Sequence, residues 1–317
     1  MKWLYSAIAL FSVQVALAAP KFEKRTSTSE ACSVGYCTLN GGTTGGGSAT
    51  AVTVSTLDDL ISAVDGDDSK VVIIDGTITG SEAVDVGSNT SILGASGATL
   101  SGVGLRVKDV SNVIIRNVKI EKVLADAGDA IGVQAASQVW IDHNDLSSDQ
   151  DHDKDYYDGL LDITHGCYGV TVSNNYLHDH WKASLVGHSD NNGDEDAALR
   201  VTYYGNFFEN LNSRGPSFRF GEGHIFNNYY SGMNDGINTR DGAELLVENN
   251  VFVDSDKALY STDEGYAVAS GNDFGDSENT AETGSITASD LSYDYDLVDT
   301  DSVASSVQSE AGQTLSF

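Results

Sequence analysis

The chain has 317 residues, 40% of them hydrophobic, with 47 acidic against 17 basic residues and a formal charge of −30. Such an acidic surface excludes a nucleic-acid partner, whose phosphates require a basic face. Three cysteines exclude a disulfide-built fold, and beyond the first 19 residues no apolar stretch is long enough to cross a membrane.

Residues 1–19 read as a secretory signal, with Lys2 ahead of an apolar run that ends in small residues. Residues 20–25 follow as a short pro-segment closing on the dibasic pair Lys24-Arg25, which predicts a mature chain from Thr26. Its 292 residues carry 13 basic and 46 acidic side chains, a charge of −33. Cys32 and Cys37 are expected to pair, leaving Cys167 as a buried thiol. From Ser55 to Val64 a short helix is predicted, capped by Ser55 or Thr56, with Leu57, Leu60, Ile61 and Val64 on one face. That helix is placed to plug the open end of the first coil. Asn89-Thr90-Ser91 is the only N-glycosylation sequon.

From 113 onward, β-branched or aromatic runs end in asparagine at Asn117, Asn144, Asn175, Asn206, Asn228 and Asn250, separated by 27, 31, 31, 22 and 22 residues. One strand per period of that length predicts a solenoid. Asparagine at a strand end suits a turn near the left-handed region, and stacked coils would lay the amides in a ladder. A second set of runs lies between, at 129–133, 159–163, 182–186, 217–220 and 236–240. The expected fold is all-β: a single-domain right-handed parallel β-helix over 26–317. An antiparallel sandwich fits less well, because the spacing is unequal and hairpin signals are scarce. Beyond Gly271 the pattern fades, and an irregular segment packing back along the coils is expected.

Coils stack about 4.7–4.9 Å apart, so Asp129, Asp162, Lys182 and Arg219 on four successive coils would form a row roughly 15 Å long, with Arg214 at its end. Four fully extended steps would part the α-carbons of Asp158 and Asp162 by about 13 Å, too far to share one ion, so the chain is expected to bend near Gly159. Calcium takes six to eight oxygens, mostly from carboxylates, carbonyls and water. Carboxylates followed by the arginines around Pro216 point to chemistry on an anionic sugar polymer.

These residues closely resemble the calcium-dependent pectate lyases of polysaccharide lyase family one. The likeness runs from about Gly45 to Tyr266 and rests on Val-Trp-Ile-Asp-His at 139–143, Asp-Gly-Leu-Leu-Asp at 158–162, Lys-Ala-Ser-Leu-Val-Gly-His-Ser-Asp at 182–190 and Arg-Gly-Pro-Ser-Phe-Arg-Phe-Gly at 214–221. The resemblance implies a secreted, monomeric enzyme with Ca2+ as cofactor and Asp129, Asp158 and Asp162 as its ligands. It implies Arg214 as base and Lys182 with Arg219 as anchors for substrate carboxylates. The implied reaction is β-elimination on α-1,4-polygalacturonate, leaving a C4=C5 double bond. Arginine is an unusual base, since its pKa exceeds about 12, and neighbouring cations would have to favour its neutral form. One departure is Thr164, where some family members carry a lysine. Asp126 is read as a surface acid, and His178, His180, His143, His188 and Asp190 as structural. The rivals are a calcium-independent pectin lyase, an inverting polygalacturonase and a non-catalytic pectin-binding β-helix.

Overall fold

The computed structural model describes residues 24–317. The expected signal, 1–19, and residues 20–23 of the pro-segment lie outside the described residues; Lys24–Arg25 pairs with Leu315–Ser316. The described chain winds into a parallel β-solenoid whose coils feed three sheets, of eleven, eight and nine strands. One coil runs through Ser137–Asp142, Asp145–Ser147 and Leu161–Thr164 in turn. Each pairs in parallel with its counterpart one coil on.

The sequence predicted two strands per coil, and there are three. The third begins one residue beyond the ladder asparagine, as Asp145 follows Asn144, so strand and tight turn read as one run. Inside, in-register apolar residues stack coil upon coil. Ile115, Ile141, Val172, Tyr203, Ile225 and Val247 are successive partners, all fully buried. Each buried side chain of this size contributes roughly 1.5–3 kcal/mol against exposure, which makes this column and its neighbours the main support of the fold.

The asparagines form two rows. Asn144, Asn175, Asn206, Asn228 and Asn250 make a buried ladder that ends on the half-buried Asn272, each Nδ2 donating to the next Oδ1 at 2.9–3.0 Å. The left-handed position is one residue earlier, at Asn117, His143, Asn174, Gly205, Asn227 and Asn249. Asn117 therefore belongs to the turn row, and Val118 stands at the ladder position, donating its amide to Asn144 Oδ1.

A helix occupies Leu57–Val64, with Thr56 Oγ1 accepting from the Asp59 amide. It buries Leu60 and Val64 in the apolar interior at the N-terminal end of the stack. The expected irregular C-terminal segment contains a helix, Thr300–Glu310. Val303 and Val307, one turn apart, bury against Phe207, Tyr229 and Val251. Two residues make too short a stripe to announce a helix in sequence. Cys32 is bonded to Cys37, and Cys167 is free and buried. Asn89 Nδ2 donates to Asp67 O while its Oδ1 accepts from Asn112, so a glycan on Nδ2 would compete with the first contact. No helix among the described residues is long and apolar enough to cross a membrane.

Candidate active site

Most of the candidate residues gather at the nine-stranded sheet or at the corner that leads into it. Just ahead of it, backbone hydrogen bonds align the entry points of four consecutive coils: Ala130 N to Gly159 O, Leu160 N to Lys182 O, Ala183 N to Ser213 O and Ser184 N to Arg214 O. Asp129, Asp158 with Gly159, Lys182 and Arg214 thus stand at corresponding corners. Asp162 lies three residues beyond Gly159, within Leu161–Thr164 and opposite Gly132.

The single expected row is therefore corrected. Lys182 ends the strand Tyr176–Lys182 of the eight-stranded sheet, where it pairs with Ser213. Arg219 lies farther along the nine-stranded sheet, opposite Arg240. The residues expected at 129–130, 159–160 and 182–184 precede their strands instead of opening them, because the chain is still turning the corner there.

The turn brings Asp129 and Asp162 together over Gly159. A Cβ on Gly159 would fall 2.5 Å from Asp162 Oδ1 and 2.9 Å from Asp129 Oδ1, so only glycine leaves both carboxylates their place. Asp129 Oδ1 accepts from Gly159 N at 3.0 Å, and Asp162 Oδ1 from Leu185 N at 2.9 Å. Burial, with the charges of Asp162 and Asp158 close by, pushes the Asp129 carboxyl up to about 9. Burial also pushes Asp162 up to about 6, against the pull of Arg214. Crowded, desolvated carboxylates short of positive charge are the donor set an oxygen-seeking divalent cation fits.

Asp158, 42% exposed, turns instead to Lys182, whose Nζ lies 3.1 Å from its Oδ1 and 3.2 Å from Asp155 Oδ1. Among the described residues no three acids, histidines or cysteines close around one point. Arg214, at φ 67° ahead of the cis Gly215–Pro216 bond, is 29% exposed. Its Nη1 lies 3.7 Å from Asp162 Oδ2. Arg219 Nε pairs with Asp190 at 2.6 Å.

One contributor, Asp155, escaped the sequence reading, and two others, His180 and Asp190, were read there as structural. His180 is fully buried, and burial pushes its imidazole down to about 4, so it stays neutral. Its Nε2 lies 2.5 Å from Asp158 O, which makes it the donor that fixes the Asp158 backbone. Asp155 shares Lys182, and Asp190 engages Arg219 where only a loop role was expected. Strand alternation would put His178 and His180 on one face, but Asp179 takes a positive φ between them and His180 turns inward. His178 faces outward to Asp145, and Asp126 is exposed.

Comparison with known proteins bears on this arrangement. A family model described as pectate lyase matches residues 8–316. The chain is 60% identical over 323 residues to the probable pectate lyase A of Aspergillus niger, covering 100% of this chain and 99% of that one. It is 58% identical over 327 residues to pectate lyase A of Emericella nidulans, again covering 100% and 99%. A solved pectate lyase of Bacillus sp. N165, in complex with trigalacturonate, matches with a TM-score of 0.80 at 33% identity, over 88% of this chain and 98% of that one.

Proposed function

This chain belongs to the pectate lyase family, and we propose that it cleaves α-1,4-polygalacturonate by calcium-dependent β-elimination outside the cell, as a monomer. The observation that carries the calcium assignment is the convergence of Asp129 and Asp162 over Gly159, beside the Arg214 guanidinium. Asp129, Asp158 and Asp162 would hold the ion, Asp158 by leaving Lys182. When bound, calcium supplies positive charge beside a substrate carboxylate.

The C5 hydrogen of a galacturonate lies α to its carboxylate, so removing it builds enolate-like charge on those oxygens. Arg214, partly exposed at the corner of its coil, is the base assigned to that proton. Lys182, freed from Asp158, places a cation where the charge develops, and Arg219 anchors a neighbouring carboxylate. As the C5 proton leaves, the electron pair forms the C4=C5 bond, the C4–O bond breaks, and the departing oxygen takes a proton from solvent. The leader at 1–19, the dibasic pair at 24–25 and the Cys32–Cys37 bond support secretion.

The test is ultraviolet absorbance during incubation with unesterified polygalacturonate, first with calcium and then with chelator. A calcium-dependent rise marks the conjugated double bond. Reducing ends without absorbance would mean hydrolysis, and a rise indifferent to chelator would remove the metal from the assignment.

A further inference from the structure

Arg219 and Arg240 are neighbours on adjacent strands, and three carboxylates surround them. Asp190 Oδ1 lies 2.6 Å from Arg219 Nε and 3.3 Å from Arg240 Nη2. Asp241 Oδ2 lies 3.4 Å from Arg219 Nε and 3.1 Å from Arg240 Nε. Asp263 reaches only Arg240, at 3.3 Å. Two cations thus face three anions before any substrate arrives. A uronate carboxylate on Arg219 would make a fourth, so one resident anion has to leave.

The three differ in how free they are to go. Asp241 is 14% exposed and touches both arginines from within the coil. Asp263 does not touch Arg219. Asp190 is 58% exposed on the turn closed by the Asn192 N to Ser189 O bond, and it is the acid closest to Arg219. Arg219 Nη1 is buried without a hydrogen-bond partner, so the guanidinium meets Asp190 through its Nε edge alone. A substrate carboxylate therefore has to compete with Asp190 for that same Nε edge.

We propose that Asp190 is a tethered competitor for substrate: it occupies on Arg219 the place of a uronate carboxylate, lowers the affinity of that subsite for charged sugar, and so narrows the preference for free uronate over methyl ester. The inference rests on the reading above that Arg219 anchors a substrate carboxylate. Its consequence for specificity follows from charge. A uronate displaces Asp190 and gains whatever Asp190 had been holding back. A methyl ester, neutral and a weaker acceptor, does not displace it and gains little from its removal.

Asp190→Asn keeps the shape and removes the charge. Trigalacturonate binding, measured by calorimetry in an Arg214→Lys background so that the trimer persists, should tighten about two- to fivefold, the reach of an exposed ion pair. In the otherwise native enzyme, KM for polygalacturonate should fall by a similar factor. kcat/KM on highly methyl-esterified pectin should change less, so the ratio of acid to ester rates rises. Asp190→Ala should give the same signs. Asp263→Asn removes an equally exposed carboxylate while leaving Arg219 paired, and should leave the ratio unchanged. Weaker trimer binding with a higher KM would overturn the proposal, since Asp190 would then hold Arg219 in place for substrate. Equal effects from Asp190→Asn and Asp263→Asn would also overturn it, because general surface charge would suffice. Failure of the native enzyme to cleave polygalacturonate, with trimer binding tightened by Asp190→Asn, would refute the reaction assigned above and leave this inference standing; cleavage by the native enzyme with a trimer affinity that Asp190→Asn leaves unchanged refutes this inference alone.

Discussion

Gly159→Ala adds one methyl group where the two carboxylates meet. The new Cβ would stand 2.5 Å from Asp162 Oδ1, 2.8 Å from its Cγ and 2.9 Å from Asp129 Oδ1. Ordinary contact begins near 3.4 Å, so the oxygens have to retreat by about 0.5 to 0.9 Å. Calcium holds its oxygens within 2.3–2.6 Å, a window of about 0.3 Å, so that retreat takes at least one carboxylate out of the shell. The amide that donates to Asp129 survives in alanine, which confines the change to the space between the two acids. Overpacking costs about 1–3 kcal/mol, well within what a stack of this size absorbs. The expected result is a calcium midpoint raised at least tenfold, about 1.4 kcal/mol, with turnover largely restored at saturating calcium. Initial rates by absorbance across a calcium titration give the midpoint, and a melting curve in chelator gives the cost to the fold. A midpoint within twofold of wild type, in a protein that melts normally, would refute the shared cradle.

The remaining predictions bear on the same machinery and on its support. Arg214→Lys should abolish most turnover while calcium still raises the melting temperature; near-normal turnover would eliminate Arg214 as the base. Asp162→Asn keeps an acceptor for the Leu185 amide yet loses the charge, so the calcium midpoint should rise tenfold or more, and an unchanged calcium response counts against the ligand assignment. Asp142→Asn should lower the melting temperature by the equivalent of about 1–3 kcal/mol, because the buried Arg116 loses the nearer of its two counter-charges, at 2.8 Å, and keeps only Glu30 at 3.2 Å. The pH dependence follows in sign: His143 and Arg116 hold the buried Asp142 carboxyl down to about 2, below its unfolded value, against the burial that opposes them. Its contribution, on the order of 2 kcal/mol, is therefore complete above about pH 5 and lost as pH falls toward 2, which acid unfolding of wild type against Asp142→Asn measures.

Much of the fold was legible because a solenoid repeats its constraints. Asn175, Asn206, Asn228 and Asn250 each solve the same problem, satisfying backbone amides at a sharp turn, and the repeated solution shows in sequence. What stayed hidden was non-periodic. Asn117 looks like a ladder residue but sits one position early, and only the register with Asn144 reveals it. Candidate residues were legible as types, through spacing and family likeness, but their pairing was not. No periodicity places Lys182 on the eight-stranded sheet or sends Asp158 toward it, since both depend on how the corner at Gly159 closes. The helix at Thr300–Glu310 went unseen because its burial is decided by the aromatic column it meets, not by its own pattern.

The acidity of the chain and the anionic substrate are reconciled at the level of single cations. Of the 17 basic residues of the chain, Lys182, Arg214, Arg219 and Arg240 stand in or beside the candidate site. Each is held by acids of the chain itself: Lys182 by Asp155 and Asp158, Arg214 by Asp162, Arg219 by Asp190 and Asp241, Arg240 by Asp190, Asp241 and Asp263. The free site therefore presents little unbalanced positive charge, and a polyuronate gains by exchanging partners instead of by neutralising a bare patch. Exchange of this kind keeps each contact weak. The charges remain strong where desolvation sharpens them, beside Asp129 and Asp162, and weak along the flanks, where exposed pairs contribute about 0–1 kcal/mol. A processing enzyme on a long polymer needs that distribution: firm discrimination at the bond it breaks, and subsites that let go of the product.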